Sequence, residues 1–135
     1  MRAKSQLMAE MIYQQLATIQ SLERKQQKRY GALCHRFPLI IRENGLAAAF
    51  GFLAAKGGTN PNSPENLLLA HYATVLKLGN ADAIRQASLT AELGEYRRMT
   101  RAALQAAEWF KRYAEAILKV DSTGAGEEER ENGNG

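Results

Sequence analysis

The chain is poor in the residues that build reactive or metal-binding sites. Among its 135 residues stand one cysteine, Cys34, and two histidines, His35 and His71. A lone thiol cannot close an intrachain disulfide, and its setting in an apolar-rich segment agrees with a reducing compartment. Zinc needs three or four ligands at a recognisable spacing, and no cluster of Cys, His, Asp and Glu surrounds either histidine. Cys34 and His35 are adjacent, so on a helix their side chains diverge by about 100°, the wrong geometry for a nucleophile and its base. The Gly-rich phosphate loop, the nucleophile elbow and the H-E-x-x-H pair are all missing. Glu127, Glu128 and Glu129 lie in a Gly- and Asn-rich terminus that offers no scaffold for two working carboxylates. The expectation is a protein without catalytic residues, metal or cofactor.

Long apolar runs are missing too. No stretch of eighteen apolar residues occurs, as a membrane-spanning helix would require. The first residues, with Lys4, Glu10 and several Gln, lack the apolar core of a secretory signal. A soluble, cytoplasmic protein with no membrane partner is expected. At this length one domain is the prior, burying about two thirds of the unfolded surface.

What is present is helical periodicity. Met8, Ile12, Leu16, Ile19 and Leu22 follow a helical spacing, and no Gly or Pro interrupts Ala3 to Arg29, which predicts a first helix of roughly seven turns. Helix continues from Tyr30 toward Arg36. Pro38 lacks an N–H, so a break or kink is expected near Phe37, then a short helix Pro38 to Asn44 stopped by Asn44-Gly45. Leu46 to Lys56 combines a Leu46, Phe50, Leu53 stripe with alanines and Gly51, a packing surface that suits close approach of another helix. After the loop Gly57 to Ser63, Ser63 is an N-cap and Pro64 a first helical residue, with a helix to Leu78. Gly79-Asn80 closes it, and a short helix near Ala81 to Ala87 follows. A long last helix, about Ala91 to Val120, carries two adjacent apolar stripes, one through Tyr96, Leu104 and Phe110, the other through Met99, Trp109 and Tyr113. Such a wide arc fits a helix at the centre of its own fold, or a face shared with a neighbouring subunit. The fold class is all-α: a compact single-domain bundle of about five to six helices over residues 1–120, with a disordered acidic tail over residues 121–135.

Charge is unevenly spread. The tail holds five acids against Arg130 alone, so residues 1–120 carry 17 basic and nine acidic side chains. Such an excess favours a polyanionic partner. Acids three or four positions away mark basic residues held by local ion pairs. Lys111 and Arg112 have Glu108 and Glu115 at that spacing. Arg24, Lys25, Lys28 and Arg29 have none, nor do Arg97 and Arg101, while Arg98 has Glu95 alone. On a helix Arg24, Lys25, Lys28 and Arg29 span an arc of roughly 140° opposite the Met8, Ile12, Ile19 stripe. Arg97, Arg98 and Arg101 form a second compact fan beside Tyr96. For the first cluster a competing reading is complementation of a helix C-terminus by basic residues; that does not serve the second, in the N-terminal half of its helix. No recognition helix with a polar base-contacting face is present, so either cluster would read phosphate backbone, or else an acidic protein surface.

Two segments, Tyr30-Gly-Ala-Leu-Cys-His-Arg-Phe-Pro-Leu-Ile-Ile-Arg-Glu-Asn-Gly-Leu46 and Tyr96-Arg-Arg-Met-Thr through Trp109-Phe-Lys-Arg-Tyr-Ala-Glu-Ala116, carry a resemblance. With Tyr-Gly, a mid-segment Pro, Asn-Gly-Leu and Trp-x-x-Arg-Tyr-Ala, the chain resembles the small helical subunit of type III-B CRISPR effector complexes, the fifth of the Cmr series. The likeness runs from the first helix to about Val120. It implies an all-helical, non-catalytic protein of antiviral defence that stacks beside backbone subunits and neighbouring small subunits, and helps line the groove where guide RNA pairs with target RNA. Arg24, Lys25, Lys28, Arg29, Arg97, Arg98 and Arg101 are the candidate RNA-binding residues on physical grounds, not by transfer from the family. Arg112, inside the matched motif, serves fold or RNA equally well. Weak self-association through the same contact surfaces is a further expectation. A helical adaptor docking on an acidic protein, and a non-specific nucleic-acid-binding bundle, are the alternatives.

Overall fold

The computed structural model describes residues 3–126 and Glu128, and places six helices among them, with no strand. They are α1 (Lys4–Ile19), α2 (Arg24–Asn44), α3 (Leu46–Gly57), α4 (Pro64–Val75), α5 (Ala81–Thr90) and α6 (Leu93–Ala116). The all-α bundle expected from periodicity is the fold observed.

Two differences from expectation bear on the site, besides the earlier ends of α4 at Val75 rather than Leu78 and of α6 at Ala116 rather than Val120. The unbroken first helix to Arg29 is instead two helices, parted at residues 20–23. The Thr18 and Ser21 hydroxyls donate to the carbonyls of Gln15 and Thr18, which favours a turn over continued helix. The Gln27 amide then donates to the Gln20 and Leu22 carbonyls, satisfying acceptors that the end of α1 leaves open. The reason lies in residues 23–29, which are wholly polar. A straight helix through them would have no apolar face to bury, whereas a turn lets both flanking stripes reach one core. In the second difference, α2 continues through Pro38 as one helix rather than restarting there. An interior proline costs about 3 kcal/mol. That cost is offset by burial along the same stripe, where Tyr30, Leu33, Cys34, Phe37 and Ile41 are all in the core.

The core centres on Tyr72 of α4. Its ring stacks on Phe110 of α6 at 4.6 Å and lies 4.9 Å from Phe37 of α2, with Phe50 of α3 at 6.2 Å. Four helices therefore converge on one aromatic cluster. The buried face of α6 is otherwise built of small side chains, Ala103, Ala106, Ala107 and Ala114, so that α1 and α2 pack along it. Most of its wide apolar arc is spent inside this chain: Met99 and Phe110 are buried, and Tyr96, Leu104, Trp109 and Tyr113 pack partly buried against the core, while Leu93 in the first turn stays exposed.

The conspicuous motif residues hold these helices in register. Gly31 lets α2 approach the chain beyond α6 so closely that a Cβ would lie 2.7 Å from that of Val120. His35 Nε2 donates to the Val120 carbonyl at 2.9 Å. Gly45, at φ +89°, joins α2 to α3 with a single residue, and the Tyr96 hydroxyl accepts from Ala47 N in the open first turn of α3. At α4, Ser63 caps as expected, accepting from Asn66 N. Asn80 does the same for α5, accepting from Ala83 N.

Beyond Val120 the described residues turn back. Asp121 accepts from Thr123 N, Thr123 Oγ1 and Ala125 N, and Gly126 pairs with Val120 in an isolated antiparallel bridge. The expected disorder of the tail falls, for residues 127 and 129–135, outside the described residues.

Candidate nucleic-acid interface

The break after α1 changes the meaning of the first basic cluster. Arg24, Lys25, Lys28 and Arg29 now open α2 instead of ending α1. At a helix N-terminus the macrodipole disfavours positive charge, so complementation of their own helix does not account for them. Anions are supplied from elsewhere in the chain. Arg24 donates to the Leu118 and Lys119 carbonyls just past α6, closing that helix end. Its Nε and Nη2 also reach the Glu128 carboxylate at 3.0 and 3.2 Å, which Lys28 Nζ meets at 2.9 Å. The Arg24 hydrogen bonds first, and those of Lys28 next, hold the Glu128 carboxyl down at about 2. Arg29 donates to Glu65, a buried carboxylate on α4, at 2.8 Å. Lys25 is exposed and has no ion pair among the described residues.

The second cluster is more open. Arg97, Arg98 and Arg101 are all exposed on α6. Arg98 forks onto Glu95 at 2.8 and 3.1 Å. Arg97 and Arg101, one helical turn apart, have no ion pair among the described residues and face solvent. Arg98 and Arg101 border a surface groove of about 370 Å³ whose other walls include Lys4, Leu76, Leu78 and Met99. Lys4 joins this basic rim from α1, a contribution that no spacing in the sequence signals. The two clusters do not merge. Arg101 lies sixteen residues before Ile117, roughly 24 Å along the axis of α6, so one phosphate cannot bridge them.

Lys111 and Arg112 do not form the ion pairs their spacing predicts. Glu108 lies 4.0 Å from Arg42, and Glu115 lies 3.9 Å from His35. Arg112 instead covers the Trp109 ring at 5.3 Å, and Trp109 stacks on Tyr113, which meets Tyr13 of α1 edge-on at 5.6 Å. The matched motif Trp-x-x-Arg-Tyr therefore builds the α1–α6 seam.

The remaining polar side chains are committed to the interior. Cys34 is fully buried, and burial pushes its thiol pKa up, away from the reactive thiolate. His71 is held neutral by burial, its pKa lowered to about 4. Its Nδ1 takes the Tyr30 hydroxyl at 2.6 Å. Among the described residues no three His, Cys, Asp or Glu side chains gather where a metal ion would sit.

Six helices around an aromatic core, with arginines displayed on α6 and a second basic group at the head of α2, define a small helical bundle whose distinguishing surface is cationic. Known proteins place it more narrowly. The family model described as CRISPR-associated protein (Cas_Cmr5) matches residues 4–117. The CRISPR system Cmr subunit Cmr5 of Thermus thermophilus is 34% identical over 119 residues, which is 88% of this chain and 99% of that protein. The crystal structure of a CRISPR-associated Cmr5 family protein from the same organism is similar with a TM-score of 0.77 at 32% identity, covering 87% of this chain and 98% of the other. The chain belongs to the Cmr5 family of CRISPR-associated proteins.

Proposed function

We propose that this chain is the small subunit of a type III-B CRISPR effector complex, that it performs no chemistry itself, and that it stacks beside the backbone subunits while α6 lends positive charge to the groove holding guide and target RNA. The family match along residues 4–117 supports membership of such a complex. The observation that carries the RNA contact is the Arg97–Arg101 pair, exposed and without an ion pair among the described residues. Two guanidiniums one turn apart, with Lys4 and Arg98 beside them, make a backbone-reading surface. The non-catalytic role is supported by the burial of Cys34 and by the engagement of His71 with Tyr30.

A second reading has one observation in its favour. Leu76, Leu78 and Met99 line the groove beside Arg98 and Arg101, and an apolar lining with a basic rim also suits an acidic protein. Purification of the tagged chain from its host separates the two. Recovery of Cmr-type subunits with short RNAs sharing a repeat-derived end supports the effector subunit. Recovery of unrelated proteins, in yield that nuclease does not change, supports the adaptor. Within the complex, Arg97→Glu with Arg101→Glu lowers RNA retention and leaves the isolated domain folded. Unchanged retention removes this site from the proposal.

A further inference from the structure

The Glu128 carboxylate sits where three donors converge: Arg24 Nε at 3.0 Å, Arg24 Nη2 at 3.2 Å and Lys28 Nζ at 2.9 Å. A planar fork plus an ammonium on two oxygens is also how proteins bind a phosphate. We infer that Glu128 occupies a phosphate site at the head of α2, and that the acidic C-terminal segment competes with the RNA backbone for it. The inference rests on the reading of this chain as an RNA-contacting subunit, and it names the regulation of one basic cluster.

The position of Glu128 follows from the chain leading to it. Asp121 ties a turn through Thr123 and Ala125, and Gly126 is buried in its bridge with Val120. At Gly126 the space is filled by the ion pair itself. A Cβ there would lie 2.6 Å from Arg24 Nη2 and 2.7 Å from Glu128 Oε2. Glycine thus lets the backbone pass against the guanidinium and deliver the carboxylate two residues later. The pair is also exchangeable. The Glu128 side chain is 47% exposed and that of Arg24 35%, so an ion pair in this setting is weak and yields to a polyanion that offers several phosphates at once. Arg24 itself stays placed when the carboxylate leaves, because the Leu118 and Lys119 carbonyls hold its guanidinium. The family match ends at Ile117, so the competing segment lies outside the matched region.

The test uses the full chain and a fluorescein-labelled single-stranded oligouridylate, read by anisotropy across a salt series. Glu128→Gln removes the competing charge. The substitution is expected to tighten binding several-fold, and a thermal melt confirms that the variant remains folded. In the wild type the released carboxylate takes up a cation as the phosphate sheds one. The salt slope of Glu128→Gln should therefore be steeper by about one phosphate contact. Adding Lys28→Gln to Glu128→Gln abolishes the gain. Unchanged affinity in Glu128→Gln, with weakened binding in Arg97→Glu/Arg101→Glu, overturns the competition and leaves the functional reading standing. Absence of binding by every form overturns the competition as well, and the host purification then decides the functional reading by itself.

Discussion

Tyr30 donates its hydroxyl to His71 Nδ1 at 2.6 Å, joining the conspicuous Tyr-Gly of α2 to the middle of α4. Both groups are desolvated. Burial raises the Tyr30 pKa well above its ordinary value and lowers that of His71 from 6.5 to about 4, so the phenol is the donor and the neutral imidazole the acceptor. Protonation of His71 destroys the acceptor. Between pH 6.5 and about 4 the unfolded chain binds a proton that the folded chain refuses, so stability is full above pH 6.5 and falls as the pH drops through this window. The loss is on the order of 3 kcal/mol. Urea melts at pH 7 and pH 4.5 should show it. His71→Gln, which keeps an acceptor for Tyr30 but cannot titrate, should flatten this part of the dependence; an equally steep fall in that variant counts against the assignment.

Gly31 and Val120 form a contact with no slack, since a Cβ on Gly31 would meet Val120 Cβ at 2.7 Å and Cγ1 at 2.8 Å. Gly31→Ala gains helix propensity of about 1 kcal/mol but overpacks a buried seam, at a cost of about 1–3 kcal/mol. Net destabilisation is expected. Val120→Ala in the same chain removes both Cγ atoms and should recover part of the loss. A double-mutant cycle measures the coupling, and strict additivity would show that the two residues do not press on each other.

Tyr72 is, with Tyr30, the largest of the fully buried side chains, and its buried hydroxyl has no hydrogen-bond partner among the described residues. The ring does the packing, against Phe37 and Phe110. Tyr72→Phe should therefore be neutral or stabilising by up to about 1 kcal/mol, because it deletes an unsatisfied polar atom. Tyr72→Leu, which empties the centre of the aromatic cluster, should cost about 3 kcal/mol or more. A large loss in the Phe variant would reveal a hidden partner for the hydroxyl.

Most of the helical content was legible in the sequence because its signals are local. Ser63-Pro64 announces a helix start, Asn44-Gly45 announces a stop, and α6 has a wide apolar arc, whereas Asn80, expected to close the preceding helix, caps α5 instead. The turn at residues 20–23 was harder to read because Tyr30 lies five helical turns after Ile12 and keeps the same phase. The signal that could have found it was the wholly polar stretch 23–29, not a breaker residue. Pro38 misled in the opposite direction, since the apolar stripe of α2 outweighs the proline penalty. The basic clusters stand out in the sequence as runs of like charge, but partners three or four residues away are the only ones within reach of sequence arithmetic. Glu65 lies 36 residues from Arg29, and Glu128 lies 104 from Arg24. Tertiary folding supplies both. The same limit explains Arg112, whose expected acids lie beside Arg42 and His35 on α2.

The three arginines of α6 should not contribute equally to RNA binding. Arg98 is engaged by Glu95 through two hydrogen bonds, so RNA must first break a local ion pair to use it. Arg97 and Arg101 carry no such cost among the described residues. Single alanine substitutions in the assembled complex should therefore rank Arg97 and Arg101 above Arg98 in loss of RNA retention. Glu95→Gln should strengthen retention by freeing Arg98 and removing a negative charge beside the groove. Folding should not confound the comparison, because exposed substitutions of this kind stay within about 0.5 kcal/mol. Affinity measured against salt gives a second reading, since each phosphate that is no longer neutralised lowers the slope by about one. A ranking led by Arg98, with Glu95→Gln weakening retention, would mean that the paired fork and not the two open guanidiniums is the surface RNA recognises.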